Sequence, residues 1–82
     1  STYRQAQRSA MKYTIHARNA HQWAVGFIAL LNEAQSVDEI NQLREIHMNT
    51  ARAVKKTRPD IMNHVAQQVA NRRSMLAQAP GE

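Results

Sequence analysis

"SVDEINQLREIHMNTARAVKKTRPD", residues 36–60, decides the fold, because it holds a helix start, a helix body, a helix stop and the next start in one run. Ser36 and Glu39 stand at capping-box spacing, and Asp38 and Glu39 set negative charge against the positive end of the helix dipole. Ile40, Leu43, Ile46, Thr50, Ala51 and Val54 then keep to one stripe at three- and four-residue steps, with Arg44 and Glu45 outside it. The pattern predicts a single helix from Val37 to about Lys56. "TRPD" closes that helix and opens another. Pro59 has no amide hydrogen to lose in a first turn, Asp60 favours a helix start, and Thr57 can cap.

Downstream, Ile61, Met62, Val65, Ala66, Val69 and Leu76 form a further stripe ending near Ala77, and "QAPGE", 78–82, reads as a frayed, disordered tail. Upstream, Asn19 can cap and Gln22 follows three residues later. Ala20, Trp23, Ala24, Phe27, Ile28 and Leu31 recur at helical spacing, which predicts a helix over 20–34. Gly26 inside it costs ~1 kcal/mol relative to alanine, so it marks either close packing or a tolerated exposed position. In residues 1–18, Tyr3, Ala6, Ala10, Tyr13 and Ala17 give a thin helical stripe. Met11, Tyr13, Ile15 and Ala17 also alternate as in a half-buried strand, but a lone strand has no partner. The expectation there is a helix or an irregular arm.

Three amphipathic segments joined by short turns pack up and down. The fold expected is therefore all-α: a small antiparallel three-helix bundle over 19–77 with an additional N-terminal helix or basic arm over 1–18. Trp23, Phe27, Ile40, Leu43, Ile46, Val65, Val69 and Leu76 are the expected core. No internal repeat or low-complexity tract is visible.

A chain of 82 residues is one domain with room for one thin core. Its apolar fraction of 43% is that of a folding chain rather than a disordered one. With no cysteine there is no disulfide framework or thiolate metal site, and a reducing cytoplasm is the expected compartment. The longest apolar run, Trp23 to Leu31, is far short of the ~20 residues that cross a bilayer, and no signal-peptide order opens the chain, so no membrane partner is expected.

Eleven Lys and Arg against six Asp and Glu leave +5, with a sequence pI near 10.5, which favours anionic partners. The charge is blocked. Residues 1–32 carry Arg4, Arg8, Lys12 and Arg18 and no acid. Residues 33–45 hold Glu33, Asp38, Glu39 and Glu45 against Arg44 alone, and residues 46–82 are basic again.

Little in the chain suggests catalysis. No two of His16, His21, His47 and His64 stand at the i, i+4 spacing of a helical metal site, and each reads as a surface or boundary residue. Glu39 and Glu45, six apart, lie nearly opposite on a helix and do not pair for acid–base work. No nucleophile elbow or phosphate-cradling glycine loop occurs. The expectation is no enzyme, no cofactor and no metal.

The candidate sites are cations. Arg4, Arg8 and Lys12 share a helical face, with Tyr13 near for stacking, as on a non-specific nucleic-acid surface. Lys55 and Lys56 in a last helical turn are accounted for by the dipole alone, at ~0.3–1 kcal/mol each, and Arg58 is a turn residue. Arg72 and Arg73 close the last helix and belong at the opposite pole, so one phosphate groove through both clusters is not assured. A helix-turn-helix reader needs two short helices across a three- or four-residue turn, often with glycine. Here the preceding helix reads as about 20 residues with no glycine at the turn, although Asn63, Gln67, Gln68 and Asn71 are types that pair with adenine edges. Arg4, Arg8, Lys12, Arg18, Lys55, Lys56, Arg58, Arg72 and Arg73 are thus candidates for nucleic-acid backbone or an acidic protein segment. Such an acidic-peptide dock predicts a groove with an apolar floor and a basic rim. The alternative is a small phage or bacterial regulator acting on DNA or a host protein, with a homodimer among its allowed states.

Residues 30–76 also carry an alanine-bearing lead-in, the Ser36–Glu39 cap followed by Ile40 and Leu43, a lysine-bearing helix end, Pro59 at the turn, and Arg72, Arg73 and Leu76 at the close. This stretch, just over half of the chain, resembles the helical pair at the C-termini of phage-type single-strand annealing recombination proteins. Arg44 stands where that pattern often has an aromatic residue. The resemblance implies a detached C-terminal domain or a small relative rather than the annealing core, which is a larger mixed fold. It also implies docking to a nuclease or to the acidic tail of a single-strand binding protein, with assistance to DNA binding.

Overall fold

The computed structural model describes residues 14–78. Within them lie four helices and no strand: α1 (Ala20–Glu33), α2 (Val37–Ile46), α3 (Met48–Thr57) and α4 (Pro59–Gln78). The fold is all-α, as the hydrophobic periodicity requires.

Both expected caps form. Asn19 accepts the Gln22 amide at 2.8 Å, and Ser36 accepts the Glu39 amide at 3.2 Å. The returning side chains reach one residue further out than a strict capping box, with Gln22 Oε1 accepting from the Arg18 amide and Glu39 Oε2 from the Gln35 amide. Each start therefore satisfies an extra backbone donor outside the helix. Pro59 begins α4 and Asp60 lies in its first turn, as expected. Thr57 does not cap α4. It is the last residue of α3, and its hydroxyl donates to the Ala53 carbonyl at 3.0 Å, an i−4 bond that competes with capping.

The expected helix over 37–56 is two helices. His47 interrupts it with φ −102° and ψ 16°, and the chain resumes at once, the Ala51 amide reaching the His47 carbonyl at 2.8 Å. His47, four residues after Leu43, takes the place on the stripe expected of Ile46, three residues after it. Ile46, expected in the core, is 43% exposed, while His47, expected at the surface, is 9% exposed. Its ring stands edge-on to Trp23 and Phe27, with centroids 6.2 and 6.0 Å away, and those two rings lie 5.1 Å from each other. Such aromatic contacts are worth ~0.5–1.5 kcal/mol beyond area burial.

Trp23, Phe27, Leu31, Ile40, Leu43, Val65 and Val69 fill the interior, with Leu31, Ile40, Leu43 and Val65 sealed completely. Leu76, the remaining expected core residue, is only half-buried and packs at the margin. α4 runs beside all three other helices, and most closely beside α1 and α3. Near its C-terminus Arg72 Nη2 donates to the Ala34 carbonyl at 2.8 Å, closing the end of α1, and Arg73 donates to Asn41 Oδ1 on α2.

Residues 14–19 are neither helix nor strand, so this part of the N-terminal segment is the irregular arm. Met11, Tyr13 and the rest of 1–13 lie outside the described residues, as do 79–82 of the expected tail. The arm explains Gly26. A Cβ there would meet Ile15 Cγ2 at 2.8 Å, so the close approach is by the arm and not by another helix. Gly26→Ala sets a helix-propensity gain of ~1 kcal/mol against displacement of Ile15. In the intact chain the two should nearly cancel, whereas in an Ile15→Ala background the same substitution should stabilise by ~1 kcal/mol. Thermal melts of the four-protein cycle check this, and equal effects in both backgrounds would remove Ile15 as the cause.

Candidate functional site: a basic-rimmed apolar groove

An open groove of about 630 Å³ runs between α2–α3 on one side and α4 on the other. Its floor is made by Phe27 from below, Ala51 from α3, and Val65, Ala66, Val69 and Ala70 from α4, with Met48 and Met62 on the walls. The small residues keep it shallow, and the methionines can adapt to an occupant's shape. Arg44, Arg52 and Lys55 stand on the α2–α3 rim and Arg73 on the α4 rim, against one acid, Glu45.

Helix spacing builds this rim. Met48, Arg52 and Lys55 stand at steps of four and three on α3 and share a face, and Arg44, on α2 across the break at His47, lines the same groove. α3 and α4 are joined through Arg58 alone, so Lys55 and Met62 lie near the joined end. Arg73, bonded to Asn41, lies at the far end near Arg44. The side chains of Arg44, Arg52 and Lys55 make no ion pair among the described residues, and all three are exposed. Their charge stays open to a partner.

The other candidate cations divide. Lys56, about 100° round the helix from Lys55, is exposed in the last turn of α3 and does not line the groove. Arg58 forms an exposed ion pair with Asp60 at 3.2 Å, and the hydrogen bond to Arg58 holds the Asp60 carboxyl below its usual range. This pair contributes what stability it has above the unfolded carboxyl pKa and loses it as pH falls through the depressed folded value. Fully exposed pairs of this kind contribute little. Arg72 is half-buried and engaged with Ala34; Arg73, also half-buried, both ties α4 to α2 and lines the groove. Arg18 lines a second cleft of about 500 Å³ between the arm and α3, where Trp23 and His47 also lie. Arg4, Arg8 and Lys12 lie outside the described residues. The two basic clusters at opposite poles of α4 do meet one groove, through Lys55 and Arg73.

Arg44 and Arg52 were not among the sequence candidates. Arg44 lies outside the apolar stripe, and Arg52 stands apart from the run of Lys55, Lys56 and Arg58. The signal lay in the 44/48/52/55 spacing around Met48, which marks a second face beside the core stripe.

The break at His47 removes one objection to a helix-turn-helix, since α3 has 10 residues rather than about 20. The connection is still Arg58 alone, shorter than the motif's three or four residues. Asn63, Gln67 and Asn71 are exposed along α4, and Gln67 donates to Asn71 at 3.4 Å. Among the described residues no three His, Cys, Asp or Glu side chains gather to hold a metal, and no helix is long and apolar enough to cross a membrane.

No family model, curated protein or solved structure matches the chain.

Proposed function

We propose that the chain is a non-enzymatic docking module whose groove receives an acidic, apolar-bearing segment of another protein. The observation that carries this is the pairing of an apolar floor with a rim of Arg44, Arg52, Lys55 and Arg73 against Glu45 alone. Phosphate backbone asks for cations without an apolar floor; an acidic segment with apolar side chains uses both. Charge also decides among occupants. Residues 1–18 are purely basic in sequence, so the chain's own N-terminal segment is repelled by the rim. A second copy facing the groove through a two-fold axis sets four cations against four. The likeness of residues 30–76 to partner-docking helical pairs of annealing proteins points the same way.

The test is a titration with a labelled acidic peptide bearing apolar residues and with random single- and double-stranded DNA, each at low and moderate salt. The expected result is saturable peptide binding that weakens with salt but persists, because the apolar contact is unscreened. DNA binding that exceeds peptide binding and falls by about 0.9 log unit per log unit of salt for each phosphate neutralised would make the module a backbone binder. A preference for one DNA sequence in competitor would favour the regulatory alternative through Asn63, Gln67 and Asn71. Absence of peptide binding at low salt overturns the proposal.

A further inference from the structure

We infer that the occupant of the groove binds as an α-helix of about three turns, with a carboxylate near each end and apolar side chains between. This rests on the docking reading above and goes beyond it by fixing the partner's conformation and charge spacing.

The groove lies between two neighbouring helical walls whose facing residues repeat at helical steps, 44, 48, 51 and 55 on one side and 62, 66, 69 and 73 on the other. A third helix laid between such walls meets ridges and grooves of its own period. A β-strand occupant has no edge to add to, because the described residues contain no strand. The floor residues Ala51, Ala66 and Ala70 leave room for a helix backbone to come close, while Met48 and Met62 can close on its apolar side chains.

Rim charge sets length and spacing. Along the unbroken α4 wall, Met62 to Arg73, the rim cation at the far end, is eleven residues, a helical rise of ~16 Å, or about three turns. Arg44 and Arg73 mark one end of the rim, and Arg52 and Lys55 lie toward the other. Carboxylates on the occupant at i and i+7 or i+8, the separation of Arg44 from Arg52, answer both ends at once. Apolar residues at i+3 and i+4 then fall between them on the same face and meet the floor. Two carboxylates in adjacent positions engage one end only. Glu45 on the rim adds a penalty against any occupant that sets an acid opposite the same side of α2.

Three peptides of one composition test this against the full chain by fluorescence anisotropy, with circular dichroism of the mixtures. The first has acids at i and i+7 around an apolar i+3/i+4 pair. The second has both acids adjacent, and the third is the first with a central proline. The first is expected to bind about tenfold or more tighter than either of the others, the step that ~1.4 kcal/mol of lost contact gives, and to gain helical signal on binding. Equal binding of all three, or binding of the first without helical gain, overturns the helical occupant while leaving the docking reading in place. If none of the three binds at low salt, the docking reading fails and this inference with it.

Discussion

Leu43→Ala is expected to leave a large fraction of the chain unfolded at physiological temperature. Leu43 is completely sealed within the core cluster, and truncating such a residue removes its burial and leaves a cavity, at ~2–5 kcal/mol. An 82-residue domain has roughly 4–12 kcal/mol in total at ~0.05–0.15 kcal/mol per residue, and domains this small sit toward the lower end. The melting temperature should fall by roughly 10–30 °C, taking ~4–8 °C per kcal/mol for a domain of this size. Ile46→Ala is the informative partner. A core stripe drawn through Ile46, three residues after Leu43, makes both truncations cost alike. With His47 on the stripe instead and Ile46 at 43% exposure, its loss should be about 1 kcal/mol or less. Equal effects in a thermal melt by circular dichroism would return Ile46 to the core.

Ala66→Glu is expected to abolish docking while leaving the fold intact. Ala66 is exposed at the middle of the groove floor, and glutamate is a good helix former, so stability should change by a few tenths of a kcal/mol. The new carboxylate fills the space where the partner's apolar residues rest and gives the cations of the rim an internal counter-charge. Against an acidic partner these effects add, and a loss of at least about thirtyfold in affinity, ~2 kcal/mol, is expected. Ala77→Glu, on an exposed position of the same helix away from the groove, should bind as the parent does. A matching loss in both variants would show that only net charge matters and that the groove is not the dock.

Much of this architecture was legible because its signals are local. Asn19, Ser36, Pro59 and Asp60 specify helix starts through hydrogen bonds and dihedral limits within a few residues, and the structure forms each as the spacing demands. The break at His47 was not legible, because no glycine, proline or capping signal marks it in the sequence. The stripe can be drawn through Ile46 or through His47, three and four residues after Leu43, and only the packing against Trp23 and Phe27, brought across from α1, selects His47. The rim was half legible for a similar reason. Lys55 and Arg73 stood out as members of basic clusters. Arg44 and Arg52 are isolated in sequence, and they gather only because a face that includes Met48 is left uncovered beside α4. Arg72 looked like a partner contact, and 38 positions separate it from the Ala34 carbonyl that it engages.

That long reach of α4 has a consequence for how the molecule comes into being. Trp23, Phe27, Leu31, Ile40 and Leu43 are all synthesised before Val65 and Val69, which seal them, and before Arg72, which fastens the first loop. During synthesis these aromatic and aliphatic side chains therefore stay bare until α4, which covers them, has been made.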